Sequence, residues 1–193
     1  KNQKFINSLI SSVSNIFEFM RKKKKSNSVI LNYDEDTSDF FNWYQQLIAE
    51  SLGKKGKGIF PIISKMPKDN HSLMQLFLDG TKNNFYTFFF AHDKFSKKIS
   101  DSVFNSHAFL KGKKIKDIRY SQYVATMKVF KERNIPFRSF EINKKNEETL
   151  GELFTYFILE TILLGRLMKI DPYNQPAVEL IKKSTKKILL KKN

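Results

Sequence analysis

The chain has 193 residues, enough for one domain with a sizeable core; 40% are hydrophobic, 19 of them Phe, which excludes a disordered segment. It contains no Cys, which excludes a disulfide framework, a thiolate nucleophile and a Cys-ligated metal. The net charge of +16 invites a nucleic-acid reading. The lysines, however, are spread among Asn, Ile and Phe in almost every segment, which favours a solvated surface suited to a small anionic ligand such as a sugar phosphate.

Residues 2–21 set Phe5, Ile6, Leu9, Ile10, Val13, Ile16, Phe17 and Met20 at helical spacing. The basic run Arg21 to Lys25 suits the end of that helix. Docking on a sheet, or on another part of a longer protein, is favoured over a membrane surface. Val29 to Tyr33 is an apolar run expected to form a buried, parallel strand, ended by Asp34 to Asp36. Thr37 or Ser38 is expected to cap the next helix, whose packing stripe is Phe40, Tyr44, Leu47, Ile48 and Ser51. Trp43, Gln46 and Glu50 share a neighbouring face, and Gly53 ends the helix.

Ile59 to Lys65 reads as a second strand, and His71 to Asp79 as a helix burying Leu73, Leu76 and Phe77 before Gly80. Asn84 to Ala91 is the most aromatic strand candidate. A short helix is expected at Val103 to Leu110, a turn at Lys111 to Lys114, a helix at Tyr120 to Arg133 and a strand at Pro136 to Ile142. Glu148 to Met168 and Pro176 to Leu190 close the chain as helices, the latter with Pro in its first turn. The alternation implies an α/β domain with a largely parallel sheet, whose ligands are expected beyond the carboxyl ends of the strands. The most apolar stretch, Leu153 to Met168, is interrupted by Glu160 and Arg166 and is too short to span a bilayer. Nothing resembles a signal peptide, and the expected location is the cytoplasm. The first residue is Lys, so the chain is expected to begin within a longer protein. Residues 1–26 would link to an upstream half, 27–170 form the domain, and 171–193 complete the site.

Glu50 falls in the last turn of its helix, beside Gly53, Gly56 and Gly58. A proton-abstracting carboxylate needs partial desolvation and a fixed position, which a helix end facing a cleft supplies. By spacing alone a surface carboxylate is the more ordinary reading. The GKKGKG run lacks the final Ser/Thr of a Walker loop and follows a helix, so it reads as a mobile basic loop near an anion. His71 is expected at a helix N-terminus, where the dipole favours neutral imidazole; packing or capping is an equal alternative. Gln175 and Lys182 lie seven apart, two turns on one face. His92 and His107 have no partner at metal-ligand spacing, and no metal is expected.

Four stretches in one order carry a resemblance. They are Trp43-Tyr44-Gln45-Gln46 with Ala49 to Lys54 and Gly56-Lys57-Gly58; Asn70 to Leu73 with Gln75 to Gly80; Gly151-Glu152-Leu153 with Glu160; and Asp171 to Glu179 running to Lys182. Over roughly residues 28–190 the chain resembles the carboxy-terminal part of the glucose-6-phosphate isomerase (phosphoglucose isomerase) family in its bacterial form. The resemblance implies a sugar-isomerase domain, a three-layer α/β/α sandwich around a mainly parallel sheet, with no cofactor. It implies that Glu50 is the base moving a proton between C2 and C1 through a cis-enediolate. His71 would open the sugar ring, supplied across a homodimer interface, and Lys182 would act with it; Gln46 and Gln175 would contact the hexose 6-phosphate. An arginine that stabilises the enediolate and a Ser/Thr cluster that grips the phosphate would lie upstream, so the chain alone is expected to be inactive. A non-catalytic phosphosugar-binding module on the same fold is the alternative. Neither a nucleic acid nor a membrane is an expected partner.

Overall fold

Asn84–Ala91 (NFYTFFFA) is buried at every position, the pattern of a parallel strand covered on both faces. In the computed structural model, which describes residues 2–100 and 105–190, this run is the third strand, β3. With β1 (Asn27–Asn32), β2 (Phe60–Lys65) and β4 (Phe137–Ile142) it forms a four-stranded, wholly parallel sheet in the order β2-β1-β3-β4. The helices are α1 (Asn2–Arg21), α2 (Ser38–Leu52), α3 (Asp69–Ser72), α4 (Met74–Asp79), α5 (Ile115–Glu132), α6 (Glu147–Met168) and α7 (Pro176–Leu190).

The chain steps outwards from β1 to β2 through α2, and outwards the other way from β3 to β4 through α5. Right-handed crossovers running in opposite directions put α2 and α5 on opposite faces of the sheet. One core packs Ile30, Phe85 and Phe89 against Leu9 of α1, Phe41 of α2 and Phe157 of α6. The other packs Val29, Leu31, Tyr86 and Phe88 against Phe77 of α4 and Tyr123 and Phe130 of α5. Edge-to-face pairs recur across both, as between Phe41 and Phe89 (4.8 Å) and between Tyr86 and Phe130 (4.9 Å). The α/β/α sandwich expected from the sequence is the observed architecture.

The first core encloses an ion pair. Arg138 of β4, in register with Thr87 of β3, donates to Thr87 Oγ1 (2.9 Å) and to Glu160 Oε2 (3.0 Å). Its Nη1 also donates to Ser12 Oγ and Glu160 Oε1. Burial opposes the Arg138 charge, yet the Glu160 carboxylate beside it holds its pKa above the ordinary value. Burial, reinforced by Glu160, pushes the neighbouring Tyr44 hydroxyl up to about 12. Glu160, an interruption in an apolar helix by sequence, is therefore the counter-ion that ties α1 and α6 to the sheet.

Several local expectations differ. The helix expected at His71 to Asp79 is divided at Leu73 (φ −121°, ψ −17°), because Asp69 anchors α3 to the end of β2 through Ser64 Oγ and Lys65 N. After the break Leu76 turns outwards and Phe77 inwards. Ile6 and Ile10 of α1 are exposed, since α1 buries only the narrow stripe through Leu9, Val13 and Ile16. Neither Thr37 nor Ser38 caps α2 with its side chain; their hydroxyls bond to Asp34 O and Glu35 O in a 3-10 turn. Helix α5 starts at Ile115, ahead of Tyr120, where Ile115 N bonds back to Lys97 O. A 3-10 segment covers Asn105–Leu110; Val103 and Phe104 of the expected helix lie outside the described residues. No described helix is long and apolar enough to cross a membrane.

Candidate active site

Helix α2 leaves the carboxyl end of β1 and runs back along the sheet, so its last turn lies beside the amino end of β2. There Glu50, partly buried, accepts a hydrogen bond on each carboxylate oxygen: from Gln46 Nε2 to Oε1 (2.9 Å) and from Gln175 Nε2 to Oε2 (2.6 Å). Gln46 is one turn back on α2, and Gln175 immediately precedes α7. Both amides donate, so the carboxylate is held as an acceptor, with further lone pairs on each oxygen to receive a proton. The cleft around it is about 480 Å³ and is lined also by Lys54, Lys55, Asp171 and Asn174.

Gln175 reaches Glu50 because two loops are tied together. Helix α6 ends with Lys169 in the left-handed region (φ 57°), with Lys169 N bonding to Arg166 O and Ile170 N to Gly165 O. Asp171 then accepts from Tyr173 N (2.9 Å) and Asn174 Nδ2 (2.7 Å), folding the turn that presents Gln175. From the glycine loop Lys54 Nζ donates to Asp171 O (2.6 Å) and Lys57 Nζ to Met168 O (2.8 Å). Gly58 lies at φ +143°, where an added Cβ would come 3.1 Å from Gly53 Cα; glycine is required to close this loop. The basic loop is thus stitched to the turn after α6. Lys54, Lys57, Asp171 and Asn174 position the site, and the sequence signal for them is the Asx-turn pattern at Asp171 to Asn174 beside a lysine-rich loop.

The other sequence candidates stand elsewhere. His71 is exposed and is the third residue of the four-residue α3, not the N-terminal residue of a longer helix. It follows the carboxyl end of β2, whereas Glu50 lies at the amino end. Six strand residues at ~3.3 Å each separate the two by about 20 Å. Lys182 is exposed on α7 and donates to Glu179 (2.7 Å), which raises its pKa. The Glu50 cleft also opens at the amino ends of the strands, opposite to the expected carboxyl ends, because the carboxylate is carried by the far end of the crossover helix. A mostly apolar cleft of about 960 Å³ adjoins it across Ala49 and Gly53 but has no carboxylate in its lining.

At the carboxyl ends, Asp34, Asp36 and Asp93 bring carboxylate oxygens within 4.8 Å of one another. Lys145 Nζ sits among them at 2.5, 2.8 and 2.8 Å, and Arg119 donates to Asp93 at 2.6 Å, so two side-chain cations already occupy the cluster. His92 bonds to Glu141 (2.7 Å) nearby.

The phosphoglucose isomerase family model matches residues 5–193. The chain belongs to the phosphoglucose isomerase family. It is 37% identical over 163 residues to a glucose-6-phosphate isomerase of Methanocaldococcus jannaschii, covering 84% of this chain and 40% of that protein. It is 33% identical over 183 residues to one from Mycoplasmopsis pulmonis, covering 92% of this chain and 42% of that protein. A crystal structure of a glucose-6-phosphate isomerase from Chlamydia trachomatis shares the fold, with a TM-score of 0.79 at 14% identity over 94% of this chain and 38% of the other. The chain therefore spans about 40% of the length of the phosphoglucose isomerases it matches.

Proposed function

We propose that the chain supplies the proton-transferring part of a glucose-6-phosphate isomerase active site, interconverting glucose 6-phosphate and fructose 6-phosphate. The observation that carries this reading is Glu50, held at both oxygens by Gln46 and Gln175 at the wall of a lysine-rimmed cleft. Glu50 takes the proton from C2 and returns it to C1 through a cis-enediolate, while the two glutamines fix the carboxylate and touch the sugar. A carbon acid beside a carbonyl is far too weak for a free carboxylate of ordinary pKa near 4.3, so the enediolate charge must be stabilised electrostatically. That stabilisation, and the grip on the phosphate, come from the part of a full-length isomerase not contained here, so the chain alone does not turn over substrate.

His71 acts in ring opening at the Glu50 cleft of a neighbouring subunit in a homodimer; its place at the opposite end of the sheet from Glu50 supports this. Lys182 joins it by exchanging its Glu179 partner for substrate oxygen.

The decisive experiment uses a protein of the relatives' length that carries this chain. Glu50→Gln is expected to lower turnover at least about a hundredfold while glucose 6-phosphate still binds. Binding with turnover unaffected by this change would make the fold a phosphosugar-binding module whose chemistry is elsewhere. Isomerisation by the isolated chain at the full-length rate would overturn the claim that its half-site is incomplete.

A further inference from the structure

On the face of the sheet opposite α2, the segments leading into β1 and β3 meet the ends of α4 and α5 around a small pocket of about 200 Å³. Lys25, Lys82 and Arg133 all line it. Lys25 is only 9% exposed, yet its partner is a backbone carbonyl: Nζ donates to Lys82 O at 2.6 Å. Lys82 Nζ likewise donates to Leu78 O at 2.8 Å. An ammonium has three protons to give, so both lysines keep donors beyond these bonds. Asp79, the carboxylate beside the pocket, is already taken up by Arg133 and by Gln75 (3.0 Å). Asn84 and Tyr86, which form the floor, satisfy each other and Phe77 O.

The result is a part-buried ammonium beside further cations, with no carboxylate partner among the described residues. Burial, then Lys23 and Lys82, lower the Lys25 pKa, as like charges without a counter-charge should. A buried charge is tolerated when it is paired, and the group that would pair this one is an anion in the pocket. We propose that this pocket binds a small oxyanion, inorganic phosphate or the phosphoryl end of a small monoester, through Lys25, Lys82 and Arg133. Its volume is below that of drug-sized ligand clefts (~300 Å³ upwards), which suits a small anion. It lies on the other face of the sheet from Glu50 and does not rest on the isomerase reading.

The test is an NMR titration of the isotope-labelled chain with sodium phosphate, with glycerol 3-phosphate and with sodium chloride at matched ionic strength. Saturable shifts at Thr81, Lys82 and Asn134 are expected with phosphate and not with chloride. A response to the ester as well assigns the phosphoryl end; a response to phosphate alone assigns the free ion. Lys25→Met should weaken binding about tenfold or more, as loss of a charged hydrogen bond does, and Lys187→Met, exposed on α7, should not. Should Lys25→Met fail to fold, Lys82→Met carries the same expectation from an exposed position. Equal shifts with chloride, unchanged affinity in the Lys25 or Lys82 variant, or shifts confined to the Gly53 to Gly58 loop would each overturn the site.

Discussion

Replacing Arg138 by Met removes the guanidinium and keeps most of the apolar stem. It leaves Glu160, fully buried, with only the Ser12 hydroxyl (2.8 Å) donating to it among the described residues. Breaking a buried pair from one side costs about 3–5 kcal/mol, against a total stability of roughly 5–15 kcal/mol for a domain. With a urea dependence of about 2 kcal/mol per molar, the unfolding midpoint of Arg138→Met should fall by roughly 2 M. Removing both charges in Arg138→Met/Glu160→Leu should recover most of the loss, to within about 1 kcal/mol of the parent, since a packed apolar pair needs no counter-ion. Circular dichroism across a urea series reads both. A midpoint shift below about 0.5 M in the single variant would show that Glu160 is not held as a charge in the folded chain. A double variant no better than the single one would show that the packing of α1 and α6 on β4 depends on the polar network itself.

Other outcomes follow from the same geometry. Asp171→Ala, in a protein of the relatives' length, should lower kcat about tenfold or more by loosening Gln175 on Glu50; Asp171→Asn, which keeps the acceptor for Tyr173 N, should retain most of it. Lys169→Gly relieves a left-handed residue at φ 57° and should raise stability by about 1 kcal/mol, seen as a rise of about 2–4 °C in Tm. At high pH, Tyr33, Tyr44 and Tyr123 have burial-raised pKa values of about 12 against 10. The folded pKa exceeds the unfolded one, so their contribution is complete below pH 10 and is lost as pH rises towards 12. For Tyr44, wholly buried, the loss is on the order of a few kcal/mol. Phenolate absorbance and circular dichroism should then change together; buried tyrosines ionising near pH 10 with the fold intact would refute this.

Much of the scaffold was legible because its signals are local. The run NFYTFFFA marks a strand buried on both faces, and Pro176 and Gly53 mark helix ends that the structure keeps. The misreadings share a cause in polar contacts that apolar periodicity does not record. Asp69 reaching back to Ser64 and Lys65 divides a helix that periodicity joins, and the bond from Ile115 N to Lys97 O starts α5 ahead of its apolar stripe.

At the site, the sequence determined the residue types and the helix face on which Gln46 and Glu50 meet, because a four-residue spacing on a helix is itself a contact. Tertiary structure alone decided that Gln175, 125 positions away, completes the hold on Glu50, and that Lys54 secures the turn 117 positions on. It also decided that Glu50 and His71 lie at opposite ends of the sheet, so one chain cannot bring them together. Periodicity records which face of an element is apolar; which ends meet depends on strand order and crossover direction, and these are set by packing over the whole chain.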